Sequence, residues 1–168
     1  MSRLPRLVKT RRWKLKPEQE NDPLYLRKTA MDYLARREHS EQELVRKLTT
    51  RGFDAGMVEA AVADLKADGL QSDTRFAETF VNSRFQRGSG PQKIHAELRE
   101  RGIDADLISL CVEAYDDQWR QRVREVREKK FGADLPGDFR ERSRQMRFLQ
   151  QRGFTAEQIS GVFKEQDG

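Results

Sequence analysis

The sequence predicts an all-α fold: an elongated array of three tandem three-helix repeats behind a basic N-terminal arm. One tripeptide pattern recurs at constant offsets, which is the mark of a repeat architecture. Apolar residues follow helical spacing, and no segment alternates like a half-buried strand. The 168 residues are also thinly hydrophobic, with AVILMFWYC and DEKR each at 36%. That suits several thin helical layers better than one thick core.

The tripeptides are Arg51-Gly52-Phe53, Arg101-Gly102-Ile103 and Arg152-Gly153-Phe154. A Leu precedes each Arg by three positions (Leu48, Leu98, Leu149), and Asp54, Asp104 or Thr155 follows as a residue able to N-cap a helix. Six residues after each Gly stands Val58, Ile108 or Ile159. The same register then pairs Ala61/Val62 with Cys111/Val112 and Val162/Phe163.

The elements follow in order. Residues 1–24 form the arm, which is expected to be flexible, and 25–70 the first repeat. Its first helix carries Leu26, Ala30, Tyr33 and Leu34 on one face. Ser40-Glu41-Gln42-Glu43 reads as a capping box, opening a helix through Leu44, Val45 and Leu48 that ends at Gly52. Met57, Val58, Ala61, Val62 and Leu65 mark the third helix, which stops at Gly69.

In the second repeat, 71–117, Ser72 or Asp73 opens a helix with Phe76, Ala77, Phe80, Val81 and Phe85, the aromatics at core spacing. Gly88-Ser89-Gly90 breaks it and Pro91 starts the next helix. Ile94 and Leu98, then Leu107, Ile108, Cys111, Val112 and Tyr115, complete the triplet. The third repeat, 118–168, has Val123, Val126 and Phe131 before an irregular stretch at 132–137. Phe139, Met146 and Leu149 are expected to continue the apolar face, and Thr155 with Gln158 makes a final capping box.

Composition and motifs exclude several classes. No run approaches the ~20 apolar residues that span a bilayer, and the N-terminus lacks a secretory h-region. A lone Cys111 rules out an internal disulfide framework and fits a reducing, cytoplasmic setting. Gly88-Ser89-Gly90-Pro91 lacks the Lys-Ser/Thr of a phosphate loop. His39 and His95 have no second ligand at i+3 or i+4, and Cys111 sits in a core slot. Asp116-Asp117 and Asp64/Asp68 read as solvated faces. An enzyme, a metal and a cofactor are all unexpected.

Charge is more informative. The net +5 is uneven: residues 1–16 carry seven bases and no acid, 25–117 are net −3, and 118–152 are net +6. Clustered cations favour a polyanion or an acidic partner. The candidate binding residues are therefore Arg11, Arg12, Lys14 and Lys16 in the arm, where Trp13 adds an aromatic. The later segment adds Arg120, Arg124 and Arg127 at helical spacing, Lys129 and Lys130, and Arg140, Arg144 and Arg147 at helical spacing. Guanidinium groups on one helix side can fork onto carboxylate or phosphate.

The run Leu65, Gly69-Leu70, Asp73, Phe76-Ala77, Arg84, Gly88, Gly90-Pro91, Ile94, Leu98, Gly102-Ile103 resembles the bacterial RecX regulatory proteins. So do Ala30, Tyr33 and Leu34 through Arg36-Arg37 to Ser40, with Glu43-Leu44, Leu48 and Gly52-Phe53. The resemblance covers roughly residues 25–165 and is most specific over 30–110. It implies a modulator of the RecA recombinase, acting in homologous recombination, DNA repair and the SOS response; separately, the chain is expected to be a monomer. Such proteins bind the RecA–single-stranded DNA filament in its groove and inhibit its ATPase, strand-exchange and co-protease activities. Some also bind DNA. The residues alone leave open a stand-alone helical DNA-binding protein with helix-turn-helix-like units, or a plain scaffold. Against the former, 25–117 is net acidic and shows no base-reading set.

Overall fold

The computed structural model describes residues 15–164, and among them it contains nine α-helices and no strand. They are α1 (Pro23–Arg36), α2 (Glu41–Arg51), α3 (Ala55–Ala67), α4 (Asp73–Gln86), α5 (Pro91–Glu100), α6 (Ala105–Glu113), α7 (Asp116–Phe131), α8 (Phe139–Gln151) and α9 (Ala156–Lys164). The chain divides into two compact units. One comprises residues up to Arg37 with Glu43–Gln71; the other comprises Glu38–Gln42 with residues from Ser72 onward.

In the first unit, Asp22 caps α1 by accepting from the amides of Leu24 and Tyr25, with Pro23 in the first turn. Asp54 does the same for α3 through Met57. Leu26, Ala30, Leu44, Leu48, Phe53, Val58, Val62 and Leu65 form the core, each fully buried Leu contributing roughly 1.5–3 kcal/mol. Leu15 joins that core, and Pro17–Gln19 forms a single 3₁₀ turn. Residues 15–22 of the expected arm are thus built into the first unit; the remainder, 1–14, lies outside the described residues. An apolar side chain at Leu15 anchors what charge counting alone assigns to a solvated tail.

The second unit contains two helix triplets around one core rather than two separate cores. Phe76, Val81, Phe85, Ile94, Leu98 and Ile108 from α4–α6 are continuous with Trp119, Val123, Leu149, Phe154 and Ile159. Trp119 joins them: its ring stands edge-on to Phe85 at 5.0 Å and to Phe154 at 6.4 Å, a favoured aromatic geometry. Ser72, Asp104 and Asp138 cap α4, α6 and α8, and Thr155 and Gln158 make the predicted reciprocal box at α9.

Two tripeptide turns have a second duty. The Gly90 amide donates to the Arg152 carbonyl at 2.7 Å, and the Gln92 amide to the Gly153 carbonyl at 2.9 Å. A Cβ on Gly90 would fall 2.3 Å from the Gly153 carbonyl carbon, and one on Gly153 would meet Lys93 at 2.3 Å. Both glycines are therefore required by close backbone approach. The Ser40 hydroxyl donates to the Arg101 carbonyl at 2.8 Å, both residues lying within the second unit.

Candidate polyanion-binding surface

The basic segment lies on α7, α8 and the loop between them, and packing divides its cations into distinct groups. Arg127 corrects the predicted set. It is only 2% exposed, and its Nε donates to the Gln145 Oε1 at 2.9 Å. Its Nη1 donates to the Ala133 carbonyl at 3.2 Å, and its Nη2 to the Asp134 carbonyl. A buried guanidinium must have its donors satisfied, and these partners hold the 132–138 loop against α7 and α8. Arg127 is not a surface cation: two turns past Arg120 on nearly the same side of α7, it is covered there by α8 and the loop it bonds.

The remaining predicted cations are at or near the surface. Lys129, Lys130, Arg120, Arg140, Arg144 and Arg147 are exposed and Arg124 half-buried. Lys16 is exposed in the first unit, while Arg11, Arg12 and Lys14 lie outside the described residues. Arg144 is bonded to Glu141 at 2.9 Å and lies over the Phe131 ring at 5.4 Å. Gln145 first, and then Arg144, hold the Glu141 carboxyl below the usual carboxylate range. Phe139 is 85% exposed and Met146 is also on the surface, correcting the expectation that both continue the core. The core side of α8 is Gln145 and Leu149 instead.

Two depressions organise these groups. The first, about 340 Å³, is walled by the end of α4 (Arg87), by α7 (Arg122, Lys129, Lys130) and by α8 and its C-cap (Phe148, Arg152). The second, about 430 Å³, takes Lys130 and Phe148 from the first and adds Phe131, Arg144, Arg147 and Gln151. Of the predicted residues the structure brings Lys129, Lys130, Arg144 and Arg147 together here, whereas Arg120, Arg124 and Arg140 line neither depression.

Sequence reasoning missed Arg87, Arg122 and Arg152. Arg122 precedes Lys129 by two helical turns, a signal available in the sequence. Arg87 and Arg152 each precede a glycine at a helix end, where only tertiary packing shows what they face. Arg122 donates to the carbonyls of Phe85 and Gln86, to Glu125 at 2.9 Å, and lies over the Phe85 ring at 5.3 Å. It thereby caps the negative end of α4. It is also the main cause holding the Glu125 carboxyl below the usual range, followed by Gln121.

Among the described residues, no group of three or more His, Cys, Asp or Glu could hold a metal ion. No helix among them is long and apolar enough to cross a membrane.

Models for the first, second and third three-helix domains of RecX match residues 27–65, 72–110 and 116–163 in that order. The chain belongs to the RecX family. It is 47% identical over 134 residues to the regulatory protein RecX of Halorhodospira halophila, covering 80% of this chain and 83% of that protein. It is 40% identical over 146 residues to the regulatory protein RecX of Pseudomonas syringae pv. tomato, covering 87% and 94%. The fold is similar to the crystal structure of RecX from Lactobacillus salivarius at a TM-score of 0.73, with 20% identity over 86% of this chain and 96% of that one. Each RecX domain match falls on one helix triplet, α1–α3, α4–α6 or α7–α9.

Proposed function

We propose that this RecX-family chain regulates the RecA recombinase by binding the RecA–single-stranded DNA filament in its groove. Occupying that groove restrains ATP hydrolysis, strand exchange and co-protease activity. The observation that carries the reading is the match of all three RecX domains in order along one chain. The protein acts by contact and performs no catalysis of its own.

The contact is assigned to the outer side of α8, where Phe139 and Arg140 stand exposed at its first turn and Arg147 two turns further. An exposed aromatic beside arginines is the composition of an interface anchor, and the guanidinium groups suit an acidic protein surface. Cosedimentation with preformed RecA filaments tests this. Phe139→Ala combined with Arg140→Glu is expected to weaken binding at least tenfold with an unchanged circular dichroism spectrum. Unaltered cosedimentation would move the contact elsewhere.

A further inference from the structure

We infer that the groove between α1 and α3 is the docking site of the chain's own N-terminal arm, which seats Leu4, Leu7 and Val8 there. This goes beyond the filament reading, because it requires no recombinase and can fail or hold without it.

The groove holds about 300 Å³ and lies wholly within the first unit. Pro23 and Leu24 of α1 form one wall; Met57, Ala60 and Ala61 of α3 form the other. The two alanine methyl groups are too short to close the space between the helices. Leu24 is 81% exposed. A single exposed leucine means little, but this one rims a depression whose other walls are apolar too, which is the form of a docking groove. Arg27 at its edge is bonded to Asp68 at 2.8 Å. Asp64, also in the wall, has no ion-pair partner among the described residues and is left as the unbalanced charge. An occupant should therefore be short, apolar on one side and basic.

Composition and tether select the arm. Residues 1–14, outside the described residues, hold Leu4, Leu7 and Val8 at i, i+3 and i+4, with six bases and no acid. Residues 17–22, which lead to the groove, carry Glu18, Glu20 and Asp22 and no base, so charge draws the arm back along its own connection. The arm enters the described chain at Leu15, which is buried in the core of the same unit. The eight residues from Leu15 to Pro23 span at most about 29 Å, and less with Pro17–Gln19 wound into a turn. Leu4 precedes Leu15 by eleven residues, an extended reach of about 36 Å. The arm can therefore lie in the groove from end to end of that turn. Tethering gives it an effective concentration on the order of millimolar, so a few apolar contacts are enough. A separate subunit would have to bury about 800 Å² of its own surface. Docked, the arm covers Leu24 and holds its cations against the first unit.

The test is paramagnetic relaxation in the full chain, with carbon-13 methionine methyl groups and a nitroxide on Ser2→Cys in a Cys111→Ala background. Met57 reports the groove, and Met146 on α8 of the second unit is the reference. The enhancement at Met57 is expected to be at least threefold larger in this parent than after adding Leu24→Gln or Leu4→Gln/Leu7→Gln, while Met146 stays unaffected. These changes leave the charge unaltered, and Leu24 is exposed, so circular dichroism should match the parent. Leu110→Gln, at an exposed leucine outside the groove, should keep the full enhancement. Equal enhancement in every variant would overturn the inference, since proximity would then come from the tether alone. So would the absence of enhancement at Met57 in the parent. The same holds for enhancement in a mixture of nitroxide-bearing chains with separate carbon-13 chains, which would give the groove to another copy's arm.

Discussion

Arg127 on α7 donates its Nε to the Gln145 side chain of α8 at 2.9 Å, and both residues are buried. The pair extends outward, since the Gln145 amide donates to the Glu141 carboxylate at 3.1 Å. It extends into the loop as well, through the Ala133 and Asp134 carbonyls. One guanidinium therefore determines how two helices and their connection fit together.

Arg127→Met should destabilise the protein by about 2–4 kcal/mol, because several bonds to a charged donor are lost and buried acceptors are left without partners. Lysine should recover little, since a point ammonium cannot reproduce the planar fork. Urea denaturation followed by circular dichroism measures both. A midpoint within error of wild type would show that the network adds no stability.

Gly90→Ala should cost at least about 1–3 kcal/mol, the usual range for overpacking. Its φ of −83° is permissible for alanine, so the cost comes from the added methyl meeting the Gly153 and Phe154 backbone at 2.3 Å. Gly137→Ala has nothing within 4 Å of the new carbon and should be close to neutral. Thermal unfolding of the two variants side by side separates contact from intrinsic propensity.

The Arg122–Glu125 pair predicts a pH dependence of defined sign. The folded-state carboxyl titrates below its ordinary value of about 4.3. Its contribution is present above that value and lost as pH falls through the depressed folded midpoint. Carboxyl-carbon NMR should place the Glu125 midpoint below 4.3 in the wild type and return it toward 4.3 in Arg122→Gln. No change on substitution would remove Arg122 as the cause.

Cys111 is buried on α6. Burial pushes its thiol pKa up, with Glu78 adding to the shift, so little reactive thiolate exists near neutral pH. Iodoacetamide at pH 7.5 should label the native protein at least tenfold more slowly than the urea-unfolded chain. Equal rates would mean that α6 opens freely.

The fold was legible because its signals are local. Asp54, Asp104 and Thr155 cap the helices that their spacing predicts, and Val58, Ile108 and Ile159 all reach the core. The candidate surface was only half legible. Lys129, Lys130, Arg144 and Arg147 stand out by charge density, but helical spacing cannot say which side of α7 faces inward, so Arg127 resembles its exposed neighbours in sequence. Arg87 joins Lys129 across a large sequence separation through packing around Trp119. Leu15 is legible only in retrospect, as an isolated apolar residue among cations whose burial depends on the packing around Gly52.

The most direct test of the functional account is ATP hydrolysis by the cognate RecA on single-stranded DNA, titrated with this protein while its binding to the filament is recorded. The account predicts that hydrolysis falls as the protein accumulates on the filament, and that Phe139→Ala/Arg140→Glu shifts both curves to higher concentration together. Hydrolysis that stays constant at saturating protein, with none bound to the filament, would contradict it.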